Sequence, residues 1–256
     1  MQIIGHGFLA RYLSEAFTER FPEVTAIAAG VSSHSVTAPA EFGREAELVH
    51  EVLRECRDRH RTVLFFSSAS FAVYGSTGAL CAEGGPLVPQ TVYGRHKLAL
   101  ESTIRGSGVP YLILRPSHLV GRHQRAHQLL PGLTRQVRAG AVRVQQGAHR
   151  DLLDVNDLVD AIGRLLGQGV RGEVFNVASG APQHVETILD GIEKRLGTSA
   201  VRTYIPGDVV VTRASIRRLQ AYVPDFRPGL LSAASYLDSI LDTYLPYYTQ
   251  GPADDE

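Results

Sequence analysis

The chain has 256 residues, 44% of them hydrophobic and 20% charged, an ordinary globular composition that excludes disordered, collagen-like and low-complexity classes. Lysine plus arginine and aspartate plus glutamate both number 26, so no basic excess is available for a nucleic-acid backbone or an anionic membrane, and neither partner is expected. Two cysteines, Cys56 and Cys81, are too few for a disulfide framework or a four-cysteine zinc site. They suit a reducing compartment. With no membrane-length apolar run and a start that enters a strand pattern directly, the expectation is a cytoplasmic protein.

In chain order, Gln2-Ile3-Ile4 reads as a buried strand and 8–21 as an amphipathic helix. A strand over 24–29 and a helix over 41–59 follow, then a strand over 62–66, a helix over 93–105 and a strand over 110–114. Apolar runs alternating with helical periods predict an α/β fold with a doubly wound, Rossmann-like parallel sheet over residues 1–121. Beyond Gly121 come a helix carrying Leu129, Leu130, Leu133 and Val137, a short strand at 142–144, and a helix opened by the Asp154–Asp157 cluster and running to Leu166. A strand at 172–177 and a helix from Val185 to Leu196, stopped by Gly197, complete the regular part. Residues 122–248 thus read as a smaller mixed α/β substrate lobe, with 172–178 returning to the sheet, and 249–256 as a frayed polar tail.

Gly5-His6-Gly7-Phe8-Leu9-Ala10 follows the first strand and opens a helix. That context suits a dinucleotide pyrophosphate. A plain strand-to-helix turn is the equal alternative. Tyr93 and Lys97 stand four apart and share one helical face, where the ammonium favours the phenolate and equips the phenol for proton transfer. Lys97 and Lys194 are the chain's only lysines. Ser67-Ser68-Ala69-Ser70 ends a buried strand, the place where open α/β sheets bind ligands; capping of the next turn is the other use of such a hydroxyl. The histidines His118, His123 and His127 lack a carboxylate pattern, so no metal site is expected.

Taken in order, these segments resemble the extended short-chain dehydrogenase/reductases, the NAD-dependent epimerase/dehydratase type that modifies nucleotide sugars. The resemblance runs from Ile3 to about Leu241. It includes the glycine string, Ala28-Ala29-Gly30, Ser67-Ser68-Ala69 with Val73-Tyr74-Gly75, Tyr93-x-x-x-Lys97, Leu114-Arg115-Pro116 with Val120-Gly121, Arg150 to Asp157, Phe175-Asn176-Val177 and Pro206-Gly207-Asp208.

The resemblance implies Tyr93 as general acid/base, Lys97 as its partner and nicotinamide-ribose ligand, and Ser68 or Ser70 as the serine on the substrate oxygen. It implies NAD or NADP held by Gly5, Gly7, Phe8, Leu9, Ala28, Ala29, Gly30, Ser67, Pro116 and Ser117 along with Tyr93 and Lys97. For the nucleotide-sugar substrate it implies Ser70, His118, Arg150 and Asp208. A guanidinium suits the substrate diphosphate, although Arg150 could instead form an ion pair with Asp151 or Asp154. The implied activity is a keto-sugar reductase, with an epimerase or a catalytically degenerate binding relative as alternatives, and with homodimerisation through the helices at 41–59 and 93–105. Ala69-Ser70 stands where dehydratases of the family usually place an Asp-Glu pair, which argues against dehydration.

One departure concerns length. Between Gly5 and Ser67 there is room for only one helix, one strand and one helix, so a strand-helix-strand unit of the family's cofactor half is expected to be missing. The acidic residue that would hold the adenosine ribose goes with it. Glu23 has about the right distance from the glycines but precedes its strand.

Overall fold

The computed structural model describes residues 1–31, 38–75, 78–207, 209 and 211–249. The first half is laid down as β1 (Gln2–Ile4), α1 (Phe8–Phe17), β2 (Val24–Ile27), α2 (Pro39–Asp58), β3 (Thr62–Phe66), α3 (Phe71–Tyr74), β4 (Leu80–Cys81), α4 (Val92–Gly106) and β5 (Tyr111–Pro116). There follow β6 (His118–Val120), α5 (Leu129–Arg138), β7 (Ala141–Gln145), β8 (His149–Arg150), β9 (Leu152–Asp154) and α6 (Val155–Gly167). The remainder is β10 (Glu173–Val177), β11 (Gln183–His184), α7 (Val185–Leu196), β12 (Val201–Ile205), β13 (Arg213–Ala214), α8 (Arg217–Tyr222) and α9 (Ala233–Thr249).

The main sheet has the order β1-β2-β3-β5-β10, and every neighbouring pair in it is parallel. β1 lies directly beside β2 and forms the sheet's edge, so the expected omission is real: no strand lies outside β1 among the described residues. Glu23 sits at the strand-start end, where its carboxylate meets Arg171 at 3.4 Å and Arg171 also reaches Thr62. That is the end opposite the glycine turn.

Strand β3 shows why the sheet is buried on both faces. Leu64 packs with Leu13, Phe17, Leu112, Leu158 and Phe175 on the α1/α6 side, while Val63 and Phe65 pack with Val49, Val52, Leu53, Leu100 and Ile104 on the α2/α4 side. Successive side chains of a strand point to opposite faces, so a run with no polar residue needs helices on both. Val49, Val52 and Leu53 thereby belong to this core, with Leu48 packed partly against it. A separate hydrophobic cluster is built on α5, α7, α9 and β7.

Some bounds differ from expectation. The helix expected to reach residue 21 ends at Phe17, and Phe21 takes a left-handed φ of 53° as the chain turns into β2. Strand β5 continues to Pro116 because β10 supplies a partner from Leu112 onward, with Val177 opposite Pro116. The short pairings β6 with β9, β8 with β11 and β4 with β13 have too few residues to show a period, whereas the expected strand near 142–144 is β7, which pairs with β12 over five residues. Among the described residues no helix is long and apolar enough to cross a membrane.

Candidate active site

The site lies where the parallel strands end. Gly5 has φ +129°, and a Cβ on it would come within 2.5 Å of the Ala28 carbonyl oxygen, whose own N–H donates to Ile4 at 2.8 Å. The first glycine is therefore required by the approach of β2. Gly7 differs: it is the N-cap of α1 at φ −80°, and a Cβ there would meet nothing within 4 Å. No side chain caps α1, so its first amides and the open face of Gly7 are presented together. Phe8 and Leu9 on the first turn are half-buried, and the Phe8 ring meets Tyr12 edge-on at 5.5 Å. Ser67, at the end of β3, has a buried hydroxyl without a hydrogen-bond partner among the described residues. An open glycine turn, an uncapped helix start and an orphaned buried hydroxyl fit a dinucleotide across the strand ends.

The serine run and Tyr93 meet beside this turn. Ser68 Oγ donates to Ser70 Oγ at 2.8 Å and lies close enough to the Tyr93 hydroxyl to act on its pKa. Ser70 Oγ accepts from Ala72 N at 3.3 Å as the cap of α3. Of the two serines, Ser68 acts on the phenol and Ser70 holds the turn.

Tyr93 is in the first turn of α4, which Thr91 starts by accepting from Gly94 N at 3.0 Å. Lys97 Nζ sits 5.7 Å from the centre of the Tyr93 ring, as the spacing of four predicts. Burial pushes the Tyr93 hydroxyl above its ordinary range; the Lys97 charge opposes this, Glu45 adds to it, and Ser68 opposes it.

Helix α4 is anchored from below by a buried network. Arg115 grips Glu101 with two bonds, Nε to Oε1 at 2.8 Å and Nη2 to Oε2 at 2.6 Å. Its Nη1 donates to the Tyr74 hydroxyl at 2.8 Å, and that hydroxyl donates to Asn176 Oδ1 at 2.7 Å. The Leu-Arg-Pro, Tyr-Gly and Phe-Asn-Val segments thus form one construction that joins β5, β10, α3 and α4.

Next along the chain, Pro116 ends β5 and Ser117 Oγ donates to Asp151 Oδ1 at 2.8 Å. Asp151 also accepts from Ser179 N at 2.8 Å and Gly180 N at 2.9 Å. Burial raises its carboxyl above the usual range, with these hydrogen bonds opposing. Sequence reasoning quoted Asp151 only as a neighbour of Arg150; here it ties the ends of β5 and β10 to β8. His118 is half-buried in β6, its N–H on the Asp151 carbonyl at 2.9 Å. Arg150 lies in β8, and its Nη1 donates to the His149 carbonyl at 2.8 Å. Burial lowers its guanidinium pKa. The alternative ion pair is not formed, because Asp151 is bound as described and Asp154 caps α6 and accepts from Tyr244. Arg150 has no carboxylate partner among the described residues. Ala28, Ala29 and Gly30 follow β2, with Gly30 at φ +110°. Asp208 lies outside the described residues.

The sequence reading missed Glu45. It lies on α2, buried, with Oε1 2.7 Å from Lys97 Nζ and Oε2 3.0 Å from His96 Nε2. The available signal was an acid in the apolar stripe Phe42, Glu45, Val49, Val52.

A sequence profile of the NAD dependent epimerase/dehydratase family matches residues 10–178. GDP-6-deoxy-D-mannose reductase of Pseudomonas aeruginosa is 30% identical over 118 residues, covering 40% of this chain and 38% of that protein. The probable UDP-arabinose 4-epimerase 1 of Oryza sativa subsp. japonica is 26% identical over 207 residues, covering 68% and 46%. The chain spans less than half the length of these curated relatives. Among solved structures, RMD from Pseudomonas aeruginosa complexed with NADPH superposes with a TM-score of 0.78 at 21% identity, over 96% of this chain and 98% of that one. UDP-glucose 4-epimerase of Thermus thermophilus in complex with NAD gives 0.76 at 20% identity, over 94% and 82%. At these identities the structural likeness is one of fold.

Proposed function

This chain belongs to the NAD dependent epimerase/dehydratase family, and from that premise we propose that it is an NAD(P)-dependent oxidoreductase reducing the keto group of a nucleotide-activated sugar. The observation that carries the reading is the placement of Lys97 Nζ 5.7 Å from the Tyr93 ring, with the serine run of Ser68 and Ser70 beside them at the ends of the strands. A bound NADH or NADPH would supply the hydride. The chain's own residues handle the oxygen. The Tyr93 O–H gives its proton to the carbonyl oxygen as negative charge develops there, and Ser68 orients that oxygen. The phenolate left behind is stabilised by the Lys97 ammonium and takes its next proton from solvent. Gly5, Gly7 and Ser67 would hold the dinucleotide, Pro116 and Ser117 its nicotinamide end. Arg150, without a carboxylate partner, supplies the charge for the substrate diphosphate, and His118 stands beside it on the Asp151 segment.

The match to GDP-6-deoxy-D-mannose reductase supports reduction. An epimerase uses the same groups, and the match to a probable UDP-arabinose 4-epimerase supports that second reading. Incubation with a panel of nucleotide keto-sugars and each reduced cofactor separates them. Stoichiometric consumption of NADH or NADPH, abolished in Tyr93→Phe, is expected. Tightly retained NAD with interconversion of sugars and no net consumption overturns the reductase reading in favour of the epimerase. Calorimetry showing no binding of any dinucleotide overturns both.

A further inference from the structure

We propose that Glu45 is a positioning residue of this site: its buried carboxylate fixes the Lys97 ammonium beneath Tyr93 and is itself fixed by His96 and the backbone after β2. The inference rests on the reading of Tyr93 and Lys97 as the reactive pair. Its geometry comes from three separate elements. From α2, Glu45 places Oε1 at 2.7 Å from Lys97 Nζ. From α4, His96 Nε2 lies 3.0 Å from Oε2. From the exit of β2, the Val31 N–H donates to the same oxygen at 3.1 Å.

The pair is sealed from solvent. The side chain of Glu45 is 0% exposed and that of Lys97 6%, with His96 the outermost of the three at 12%. A second ammonium bond goes to the Phe66 carbonyl at 3.3 Å, so two of the three Lys97 donors are committed and one is left for a ligand. Removing the carboxylate would leave a buried cation with a single carbonyl contact, which is the situation that displaces or neutralises such a charge.

The main chain is shaped around this carboxylate. Gly30 has φ +110°, and a Cβ on it would lie 2.4 Å from Glu45 Oε1. Only glycine combines that backbone with that contact. The aliphatic neighbours of Glu45 on the same stripe pack into the sheet, so an acid here is costly unless its charge is used. Glu45 also acts on the phenol, because its negative charge opposes that of Lys97 at Tyr93. Tyr93 therefore keeps its proton, ready to donate, while Lys97 is held in place.

The lysine content makes a direct test possible, as Lys97 and Lys194 are the only two in the chain and Lys194 is exposed. In protein labelled with 15N-lysine, the Lys97 ammonium is expected to give a slowly exchanging proton signal and Lys194 a fast-exchanging one. Glu45→Gln keeps the shape and removes the charge. It should accelerate exchange at Lys97 about tenfold or more, the order expected for loss of a charge-assisted hydrogen bond. Unchanged exchange overturns the proposal. If Glu45→Gln does not fold, His96→Gln decides: losing one holder of the carboxylate should accelerate exchange at Lys97, and an unchanged rate overturns the proposal in the same way. These measurements need no dinucleotide, so failure of the wild type to bind NADH or NADPH counts against the oxidoreductase reading alone. Where the wild type turns over, Glu45→Gln should lower kcat with little change in KM for the sugar.

Discussion

Gly94 faces the backbone of Ala72 so closely that a Cβ on Gly94 would lie 1.6 Å from the Ala72 carbonyl oxygen. This contact presses α4 onto α3, and it explains how Tyr93, the residue before Gly94, comes to lie near Ser68 just ahead of α3. Gly94→Ala cannot be accommodated without moving one helix from the other. It should cost about 1–3 kcal/mol by overpacking, more than Tyr93→Phe costs. Denaturant melts of both variants check this; a Gly94→Ala protein as stable as the wild type would show that the two helices are free to separate.

Asp151 is the acceptor for three donors, two of them backbone amides. Asp151→Asn turns one acceptor oxygen into a donor that must face one of those donors, at a cost of about 1–3 kcal/mol for the unsatisfied pair. The pH dependence has a definite sign. Burial raises the Asp151 pKa above 3.8 in the folded state, so the folded protein binds this proton more readily than the unfolded chain. Its contribution to stability is full below the unfolded value and is lost as pH rises through the raised one. The stability difference between wild type and Asp151→Asn should widen as pH is lowered through that window, and a difference that narrows would contradict the assignment.

What could be read from the sequence followed from local period and fixed spacing. The strands of the main sheet are short, mainly apolar segments, and Tyr93 and Lys97 are brought together by one turn of helix, so neither needs knowledge of the remaining chain. The glycine turn is legible for the same reason. Glu45 was not, because Lys97 is 52 residues away and joins it only when α2 and α4 pack on the same face of the sheet. The unpaired state of Arg150 was equally hidden: two acids stand near it in sequence, and only the β8 and β9 strand geometry shows that both have other partners. Sequence favoured Ser68 at the strand end but left Ser70 open on its spacing to Tyr74, whereas the structure gives Ser70 the task of capping α3.

Tyr93 offers a test in the protein without ligand. Its pKa lies above the ordinary value of 10.0, with burial as the largest cause. Because the shift is upward, the phenol remains protonated throughout the neutral and mildly alkaline range. Tyrosinate absorbance of the wild type, compared with Tyr93→Phe, should therefore show no extra ionisation below about pH 10. A step attributable to Tyr93 below about pH 9 would mean that Lys97 outweighs burial and Glu45 together.

The two glycines of the first turn should respond in opposite ways to the same change. At Gly5, alanine would combine a φ of +129° with a contact of 2.5 Å to the Ala28 carbonyl oxygen. Gly5→Ala is a folding mutation, expected to lose about 1–3 kcal/mol through strain and overpacking. At Gly7 the backbone has an ordinary φ of −80° and there is open space where the methyl would go. Gly7→Ala should melt within about 0.5 kcal/mol of the wild type, as surface substitutions do. Its methyl nevertheless occupies the face by which a pyrophosphate would approach the first amides of α1. Fluorescence titration with NADH and NADPH should therefore show affinity weakened about tenfold or more in Gly7→Ala, with its thermal melt unchanged. Unchanged affinity in that variant would place the dinucleotide elsewhere on the sheet.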